Sequence, residues 1–395
     1  PGKTAVRMRR GPVAFRRTRD IVTGMATSAV REVRVELGPR SYAVRIGAGV
    51  LTQVGRALRE LFPQGGSMQA AVVTDENVGP AYAPRVLDSL RQAGYHAHLV
   101  TVPAGDASKS LAQASRLYDE FASAHMERTS PVIALGGGMV GDLTGFVAAT
   151  WLRGVPFIQC PTTVEADVDA SVGGKTGVNH PAGKNLIGAF YQPRLVLMDI
   201  AALDTLTDRD FRAGLAESIK HAAIRDASFF QWQEANIARI LSRDRDVMID
   251  LLERNVRIKA DVVAADEREA GLRAILNFGH TIGHAVESLV NYEWRHGECV
   301  SVGMLAAAWI AARRKLMREE DAERLRAILK LLKLPTAIPD TISVEAIMRL
   351  TRMDKKVAEG RVRFVLVPQF GETTMRDDVS EQEIRRAVNI MRAKA

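Results

Sequence analysis

The sequence predicts an α/β fold in two parts: an amino-terminal domain on a mostly parallel sheet and a mainly α-helical carboxyl-terminal domain. Short apolar strands alternate with helical stretches up to about residue 199, and apolar residues recur at helical spacing after about residue 203. The 395 residues also exceed the roughly 250–300 at which one hydrophobic core stops growing. We therefore expect a basic extension at residues 1–31, one domain at 32–202 and a second at 203–395.

The strands of the first domain are predicted in order from short apolar segments bounded by turn residues. They are VRVEL, SYAVRIG, QAAVVTDENV, HAHLVTVPAG, PVIALGGGMVGD, PFIQCPTT and LVLMDI. Strands that alternate with helices form mostly parallel sheets with helices on both faces.

The second domain is predicted from two long segments in which apolar residues repeat at helical spacing, ASFFQWQEANIARILSRDRDVMIDLLERNVRIKADVVAADE and SVGMLAAAWIAARRKLMREEDAERLRAILKLLKL. Only RVRFVLV, near the end, has the pattern of a strand. The sequence has no internal repeat and no low-complexity linker, so we expect the two domains to pack closely around a cleft.

Composition limits the classes of protein to which the chain can belong. Apolar residues make up 47% of it and charged residues 25%, and no apolar run reaches the ~18 residues that cross a bilayer. Cys160 and Cys299 are the only cysteines, so a disulfide framework is not indicated and we expect a reducing, cytoplasmic location.

The net charge of +8 suggests a polyanionic partner until its position is considered. Most of it lies in residues 1–25, where Asp20 is the only acid, so the rest of the chain is nearly neutral. Three interpretations remain open: an upstream extension with Met25 as the true start, an Arg-rich targeting segment, or a nucleic-acid-binding arm. We favour the first, because clean strand patterning begins only at Val33, and we do not expect a nucleic-acid partner.

Three histidines lie close together in the sequence, downstream of Glu217. His280 and His284 are four residues apart in ILNFGHTIGHAVE and share one helix face, and His296 follows in HGECVSVGM. A catalytic divalent metal needs about three protein ligands and an open position, which two histidines and a carboxylate commonly supply. The alternative is separate histidines satisfied in the core, but their clustering favours the metal site.

A glycine-rich turn, ALGGGMVGD, follows an apolar strand and opens a helix, the context in which backbone amides and a helix N-terminus hold a pyrophosphate. It is not a clean GxGxxG motif, and close packing of a strand on a helix also demands glycine. Asp75 and Asn77 lie at the end of the third predicted strand segment and can bond an adenosine ribose, although the same position is a common helix N-cap.

The segment DASVGGKTGVNHPAGKN is predicted to be loop-like, with lysines, asparagines and glycines suited to binding an anion. Its GGKT resembles the end of a phosphate loop, but the upstream glycine is misplaced for GxxxxGKS/T, so we reject an ATPase. A purely structural turn remains the alternative.

Together these motifs resemble those of the 3-dehydroquinate synthases, within the sugar-phosphate cyclases, over nearly all of the chain from Val33 onward. The motifs are GGGMVGDLTGFVAAT, PTT, DASVGGKTGVNHPAGKNLIGAFYQP, GLAESIKHA, ADEREAGLRAILNFGHTIGHAVE, HGECVSVGM and MDKKV. The resemblance implies a Rossmann-like amino-terminal α/β domain and a helical carboxyl-terminal domain, usually in a homodimer, with NAD and a catalytic zinc or cobalt ion.

The resemblance also implies roles for individual residues. Glu217, His280 and His296 match the metal ligands, and His284 matches a residue that assists proton transfer; this replaces the pairing of His280 with His284 that spacing alone favours. The positions that match contacts to NAD are Asp75, Asn77, Asp106, Lys109, Gly137, Gly138, Asp142, Thr162, Thr163 and Lys184. The positions that match the substrate pocket are Arg153, Asp169, Lys175, Asn185, Lys220, Lys259, Arg273, Asn277 and the pair Lys355 and Lys356, of which either can face inward.

The implied substrate, 3-deoxy-D-arabino-heptulosonate 7-phosphate, has a carboxylate and a phosphate, which explains why so many cations surround one pocket. In the family, NAD takes hydride from a metal-bound alcohol, phosphate leaves by elimination and the hydride returns. Ring opening and an aldol closure then give 3-dehydroquinate. NAD is regenerated, and the substrate phosphate can itself remove a proton.

Two alternatives share parts of this pattern. Other sugar-phosphate cyclases use substrates without the carboxylate, and Arg273 and Asn277 disfavour them because both match the dehydroquinate synthase pattern. Polyol and glycerol-phosphate dehydrogenases share a metal and NAD but lack the GGKTGVNHPAGKN and DKK motifs present in this chain.

One departure from the family pattern lies between PTT and DASVGGK, where Glu165 and Asp167 replace residues that are usually uncharged. Carboxylates that point into the site would repel an anionic cofactor and substrate and so reduce turnover. We expect both side chains to be exposed, because unpaired buried carboxylates are rare.

Overall fold

A computed structural model describes residues 30–392 of the chain apart from Tyr292 and residues 356–362. The strands are β1 (Arg31–Val35), β2 (Tyr42–Gly47), β3 (Gln69–Asp75), β4 (His96–Val102), β5 (Val132–Gly136), β6 (Phe157–Pro161), β7 (Lys175–His180), β8 (Gly183–Phe190), β9 (Leu195–Asp199), β10 (Phe364–Gln369) and β11 (Glu372–Arg376). Seven of them form the main sheet in the order β1-β2-β9-β6-β5-β3-β4. Strand β1 is antiparallel to β2, and the other neighbouring pairs are parallel.

The helices alternate with the strands in the first half of the chain and dominate the second. They are α1 (Val54–Leu61), α2 (Gly79–Gln92), α3 (Leu111–Ser123), α4 (Gly138–Thr150), α5 (Asp208–Arg225), α6 (Ala227–Leu241), α7 (Arg245–Ala265), α8 (His280–Leu289), α9 (His296–Arg313), α10 (Glu319–Leu331), α11 (Val344–Lys355) and α12 (Glu381–Met391). Within the described part of the chain, none of them combines the length and apolarity that a membrane span requires.

Helices cover both faces of the sheet, as the alternation of strands and helices predicts. Ile133 and Leu135 of β5 belong to the apolar cluster with α1 and α2, whereas Val132 and Ala134 belong to the cluster with α3 and α4. Successive side chains of a strand point to opposite faces, and β5 is buried along its whole length because it is a central strand. The predicted α/β domain with a mostly parallel sheet is confirmed.

The predicted mainly helical second part is also confirmed, with β10 and β11 as an antiparallel hairpin within it. The largest apolar cluster joins this part to the sheet, because β1 and β2 pack against α7. The division at residue 202 remains a prediction. The basic extension predicted at residues 1–31 lies almost entirely outside the described residues.

The structure corrects the loop predicted for DASVGGKTGVNHPAGKN. After a single turn of π-helix at Ala166–Ala170, this segment forms most of the antiparallel hairpin of β7 and β8. Gly177 lies opposite Gly188, and a Cβ at Gly188 would lie 2.3 Å from the carbonyl oxygen of Thr176. The glycines therefore allow two strands to pair closely, whereas their usual association with turns predicts a loop.

Candidate active site

The cofactor residues predicted at strand ends share one edge of the sheet. Strands β4, β3, β5 and β6 are parallel neighbours, so their carboxyl ends lie side by side. Asp75 ends β3, Asp106 follows β4, Gly137 follows β5, and Thr162 and Thr163 follow β6. This is the edge at which open α/β sheets bind nucleotides.

Gly137 and Gly138 begin α4 at this edge. Gly137 is the N-cap residue and Gly138 the first helical residue, so the helix presents its unpaired amides there. A Cβ at Gly137 would lie 3.2 Å from Thr163 Cγ2, and one at Gly138 would lie 3.3 Å from the Cβ of Ala170. The packing role that was the alternative for these glycines is therefore present, and the pyrophosphate role stays a prediction.

Asp75 closes the turn that leads into α2. Its Oδ1 accepts hydrogen bonds from the backbone amides of Asn77 and Val78, at 2.9 and 3.0 Å, but the N-cap residue of α2 is Val78, so Asp75 is not the helix N-cap of the alternative interpretation. Nearby on the same edge, Thr162 is buried, and its hydroxyl has no hydrogen-bond partner among the described residues. A buried unpaired hydroxyl at a strand end is a group that a bound ligand can satisfy.

Lys109 connects the sheet edge to the hairpin. Its Nζ donates to Asp142 Oδ2 and to Asn185 Oδ1, both at 2.5 Å. Burial raises the pKa of Asp142, and Lys109 partly offsets this. One buried ammonium group thus holds a predicted cofactor residue and a predicted substrate residue together.

Lys184 connects the two halves of the chain. Its Nζ lies 3.3 Å from Asp106 Oδ2 at the sheet edge and 3.2 Å from Glu287 Oε1 on α8. Burial opposes a charge on Lys184, but these two carboxylates raise its pKa above the ordinary value. The cofactor edge and the helical part are therefore joined by a charged residue of β8.

The three predicted metal ligands converge where α5, α8 and α9 meet. Glu217 is 1% exposed, and its Oε1 has no hydrogen-bond partner in the described part of the chain. His296 Nε2 lies 3.7 Å and His280 Nε2 3.9 Å from that oxygen. A buried carboxylate oxygen that faces two imidazole nitrogens without a partner of its own fits a divalent cation.

His284 lies beside these ligands. Its ring centroid is 5.0 Å from that of His280 and 5.7 Å from that of His296, and the three histidines offer nitrogens within 4.8 Å of one another. The histidine pair that spacing alone favours and the ligand set that the family resemblance implies therefore belong to the same cluster of side chains. His284 is exposed, which suits the predicted role in proton transfer to or from a substrate.

The second ring nitrogen of each histidine ligand is held by the protein. His280 Nδ1 lies 3.2 Å from the carbonyl oxygen of Phe278, and His296 Nδ1 lies 3.2 Å from Glu287 Oε2. Each ring is thereby oriented so that Nε2 faces Glu217. Such outer partners set the tautomer and orientation of metal-binding histidines.

Glycines bring the helices of this cluster into contact. A Cβ at Gly303 of α9 would lie 1.9 Å from the carbonyl oxygen of Gly279, and one at Gly297 would lie 1.9 Å from that of Ala213 in α5. Gly279 itself has a φ of 82°, a left-handed conformation that favours glycine. The close approach of α9 to both α8 and α5 places His296 next to the other ligands.

Zinc binding at pH 7.5 is expected to release about one proton, because a histidine ligand must be neutral. Burial opposes a charge on His296, but its hydrogen bond with Glu287 and the nearby carboxylates raise the pKa of the metal-free ring to about 9. The ring is therefore protonated at pH 7.5 until the metal displaces the proton. Exchanging Glu287 for glutamine lowers that pKa and should reduce the number of protons released.

Calorimetric titration with Zn²⁺ in buffers of different ionisation enthalpy measures this proton number. The exchange of Glu120 for glutamine is a matched control, since Glu120 Oε2 lies 3.1 Å from His98 Nε2 in a surface pair away from the site. An unchanged proton number in the Glu287→Gln variant would contradict the assignment of the proton to His296.

Two buried lysines and Asp169 lie beside Glu217. Lys220 Nζ donates to Glu217 Oε2, and Lys259 Nζ donates to Asp169 Oδ1 at 2.5 Å. Burial lowers the pKa of Lys259 to about 8 although Asp169 opposes this. Asp169, Glu217 and His221 also lie close enough together for a metal ion, but Lys259 already pairs with Asp169 Oδ1, and we assign no metal to this set.

Arg273 is 1% exposed and is held by backbone carbonyls. Nη1 donates to Glu267 at 2.6 Å and Nη2 to Gly173 at 3.0 Å, while the buried Nε has no partner among the described residues. A Cβ at Gly173 would lie 2.4 Å from Nη2, so glycine is needed there. The bidentate carboxylate grip predicted for Arg273 would have to share the guanidinium with these two carbonyls.

Lys175 and Asn277 meet at Glu269, which the sequence reasoning did not select. Lys175 Nζ lies 2.5 Å from Glu269 Oε2, and Asn277 Nδ2 donates to Glu269 Oε1 at 3.3 Å. Lys175 and Asn277 are exposed, so these two predicted substrate residues lie at the surface of the structure.

No contact among the described residues links Arg153 to the other predicted site residues. It is exposed, has a φ of 67°, and lies in the turn that precedes β6, whereas the cofactor edge is at the carboxyl end of that strand. The side chain of Lys355 and all of Lys356 lie outside the described residues, so their roles stay predictions.

The structure corrects the exposed positions predicted for Glu165 and Asp167. Asp167 is 1% exposed, and its Oδ1 has no hydrogen-bond partner in the described part of the chain. Glu165 is half-buried, and burial together with Glu217 raises its pKa, although His296 opposes this. The π-helical turn packs against α4, α5 and α7, and the side chain of Asp167 is buried by this packing.

The Asp167→Asn variant is expected to be more stable than the parent at neutral and higher pH, because it lacks a buried carboxyl group whose ionisation destabilises the folded state. Burial, together with Asp199, raises the pKa of Asp167 well above its ordinary value. A raised carboxyl pKa means that stability present below about pH 4 is lost as the pH rises through the folded-state value, by at most about 1.4 kcal/mol per pH unit. Thermal unfolding of both proteins from pH 4 to pH 8 measures the difference.

The stability difference between the Asp167→Asn variant and the parent should therefore grow in favour of the variant as the pH rises. Asp119→Asn, at an exposed helical position, is the control and should show no such trend. Parallel unfolding curves for the Asp167 variant and the parent at every pH would show that Asp167 is not held neutral.

Sequence reasoning also missed Glu287, whose two oxygens face Lys184 and His296. The sequence contains a signal for it. Glu287 follows His280 by seven residues and His284 by three, so it shares their helix face.

Fold and site together define a class: an α/β enzyme whose predicted metal ligands lie near a cluster of cations and near the sheet edge at which open α/β sheets bind nucleotides. Family models identify the member of that class. Residues 99–213 match the 3-dehydroquinate synthase N-terminal family and residues 214–357 the 3-dehydroquinate synthase C-terminal family. The chain belongs to the 3-dehydroquinate synthase family, and the lyase function predicted from its motifs is confirmed by its curated relatives.

The 3-dehydroquinate synthase of Symbiobacterium thermophilum is 47% identical over 91% of this chain and 100% of its own length. Among solved structures, 2-epi-5-epi-valiolone synthase from Streptomyces hygroscopicus, with NAD⁺ and Zn²⁺ bound, is 27% identical, with a TM-score of 0.81 over 92% of this chain and 98% of that one. A 2-deoxy-scyllo-inosose synthase complexed with carbaglucose-6-phosphate, NAD⁺ and Co²⁺ is 24% identical, with a TM-score of 0.80 over 91% and 100% of the two chains, and shares the fold.

Proposed function

We propose that the chain converts 3-deoxy-D-arabino-heptulosonate 7-phosphate into 3-dehydroquinate and phosphate, in the shikimate pathway, with NAD and Zn²⁺ or Co²⁺ bound. The observation that supports it is the convergence of Glu217 Oε1 with His280 and His296 beside buried cations. Lys220 donates to Glu217, Lys259 pairs with Asp169, and Arg273 interacts electrostatically with Asp169. A substrate with both a carboxylate and a phosphate requires several cations.

The residues fit both groups. The unpartnered Glu217 Oε1 and the two Nε2 atoms directed at it would hold the metal, and the amides at the start of α4 with Thr162 would hold NAD. When bound, the metal supplies Lewis-acid stabilisation of a substrate oxygen, and NAD supplies a reversible hydride acceptor.

The side chains of the chain bind, orient and move protons around these groups. Lys220 donates to Glu217 Oε2 and so leaves Oε1 directed at the histidines. Lys259 has a pKa of about 8, so its Nζ can hold or release a proton near neutral pH beside Asp169. The exposed His284 can exchange a proton at its ring with a substrate oxygen.

A homodimer is part of this proposal. Arg153 is exposed at the amino end of β6, and this position suits a contact with a second copy of the chain better than a contact inside its own pocket. A cytoplasmic location is supported by Cys160 and Cys299, which are both buried and unpaired. A membrane or nucleic-acid partner is not part of the proposal.

A coupled assay tests the proposed reaction. Metal-loaded protein with catalytic NAD should release phosphate and form 3-dehydroquinate in equal amounts from the heptulosonate phosphate, with no net NADH. Turnover of sedoheptulose 7-phosphate in its place would indicate a sister cyclase, and stoichiometric NADH from a polyol would indicate a dehydrogenase.

A further inference from the structure

A chain of four buried polar side chains runs from the core of the helical part to Asp169. Ser218 Oγ lies 2.9 Å from Gln233 Oε1, Asn255 Nδ2 lies 2.8 Å from Ser218 Oγ, and His221 Nδ1 lies 3.2 Å from Asn255 Oδ1. Each of the four residues is at most 1% exposed. Polar side chains buried this completely are normally hydrogen-bonded, because an unpaired polar group in the core destabilises the fold.

Backbone carbonyls fix the direction of every bond in this chain. Gln233 Nε2 donates to the carbonyl of Ser218, so Oε1 is the atom that accepts from the Ser218 hydroxyl. Asn255 Nδ2 donates to the carbonyl of Leu251 and to the serine oxygen, so Oδ1 must face His221 as an acceptor. Nδ1 of His221 therefore bears a proton, and the tautomer is set by the protein.

The other nitrogen of His221 is the end of the chain and faces Asp169, a predicted substrate residue. Nε2 lies 3.6 Å from Asp169 Oδ1 and has no hydrogen-bond partner among the described residues. Burial lowers the pKa of His221 although Asp169 opposes this, whereas Lys259 and Lys220 hold the pKa of Asp169 well below its ordinary value against burial. A neutral ring thus meets a carboxylate, two acceptors with no proton between them.

We propose that His221 is a positioning residue for Asp169: with its own proton fixed on Nδ1, it presents Nε2 as the acceptor of one proton that the pair holds while substrate is bound. This inference rests on the proposed function, since Asp169 acts here on a hydroxyl of a polyhydroxylated substrate. The charged groups around the pair are Glu217, Lys220 and Lys259, together with Asp142, Glu165 and Arg273 on the side of Asp169.

The proton transfer balances without any further reactant. A substrate O–H bond breaks and its proton passes to Asp169 Oδ1 and then to Nε2 of His221, where a new N–H bond forms. The electron pair stays on the substrate oxygen. The ring becomes an imidazolium that donates from Nδ1 to Asn255 and from Nε2 to Asp169, so the carboxylate is again ionised and both ring nitrogens have an acceptor.

Two exchanges at His221 separate proton holding from simple hydrogen bonding. Glutamine can donate an amide hydrogen to Asp169 but cannot take up a proton, and phenylalanine can do neither. We expect kcat to fall by about 10–100-fold in both variants, the range for partners that act through another residue, with KM changed less than about threefold. The acid limb of the kcat–pH profile should also flatten in both.

Histidine-labelled protein allows the tautomer to be read directly. Ring carbon and nitrogen shifts should give the Nδ1–H form for His221 in the resting protein, assigned by its loss in the His221→Gln variant. Asn255→Leu should turn this signal into a mixture of tautomers and lower kcat. Ser301→Ala is the matched control, because Ser301 is also buried and donates only to the carbonyl of Pro335, away from the chain of bonds.

An Nε2–H tautomer in the resting protein, or a His221→Gln variant with the kcat and pH profile of the parent, would overturn the proposal. Failure of the proposed function gives a different result, since the parent protein then shows no turnover while the tautomer measurement still reports on His221. A Ser218→Ala variant, which breaks the chain of hydrogen bonds, provides the comparison for stability. Ser301→Ala is expected to keep the kcat of the parent even where the two variants lower the melting temperature equally.

Discussion

Protein in which Glu217 is replaced by glutamine should be purified nearly free of metal and should lose more than about 100-fold in turnover. An outer partner of a metal ligand contributes about 10–100-fold, and Glu217 is itself a ligand in the proposed site. Glutamine keeps the shape and can still accept from Lys220, but it lacks the negative charge that two histidines and a cation require. Metal content by elemental analysis and turnover at saturating Zn²⁺ measure the effect.

The Glu217→Gln exchange also removes the negative charge that balances the buried ammonium group of Lys220. Removing one partner of a buried ion pair lowers the free energy of unfolding by about 3–5 kcal/mol. Glu217→Asp keeps the charge and shortens the side chain, so it separates lost metal binding from lost folding. Glu234→Gln, in a surface pair with Arg324, is the control for the chemical exchange itself. Normal metal content and turnover in a folded Glu217→Gln protein would remove Glu217 from the ligand set.

Exchange of Arg273 for lysine is expected to lower kcat/KM by about 10–150-fold. A hydrogen bond to a charged group contributes about 1.5–3 kcal/mol, and 1.4 kcal/mol is a factor of ten. Lysine keeps the charge but cannot donate to the carbonyls of Gly173 and Glu267 and also bind a substrate carboxylate with a fixed fork. Steady-state kinetics with the heptulosonate phosphate measure the loss.

A sugar phosphate without the carboxylate provides the specificity test for Arg273. If the guanidinium binds the carboxylate, the ratio of kcat/KM for the two substrates should fall in the Arg273→Lys variant. Arg268→Lys, at an exposed position nearby, should leave the ratio unchanged. An equal loss for both substrates would mean that Arg273 only supports the backbone of Gly173 and Glu267.

The sheet and the metal cluster could be predicted because each depends on a local pattern. The strands are short apolar segments of the kind that a central parallel sheet requires, and two of the histidines lie one turn apart on a helix. His296 and Glu217 belong to other helices, so their convergence could not be read from spacing and came from the family resemblance.

The errors arose where a residue type serves an unusual environment. Gly177 and Gly188 lie opposite each other in two strands, where the absence of side chains lets the backbones pair closely. Sequence rules associate glycine with turns and therefore predict a loop here. The rarity of unpaired buried carboxylates predicts that Asp167 is exposed, but it is buried because α4, α5 and α7 pack around the π-helical turn that contains it. His221 reveals its role only through partners on α6 and α7, far away in the sequence.

The contact of Gly303 with Gly279 has a consequence for how the site handles its metal. The helix packing that gathers the histidines is determined by contacts between backbone atoms and by the apolar core around α8 and α9, neither of which involves the metal ligands. We therefore expect zinc and cobalt to be exchangeable at this site by dialysis with the fold intact, in contrast to small zinc domains that unfold when their ion is removed.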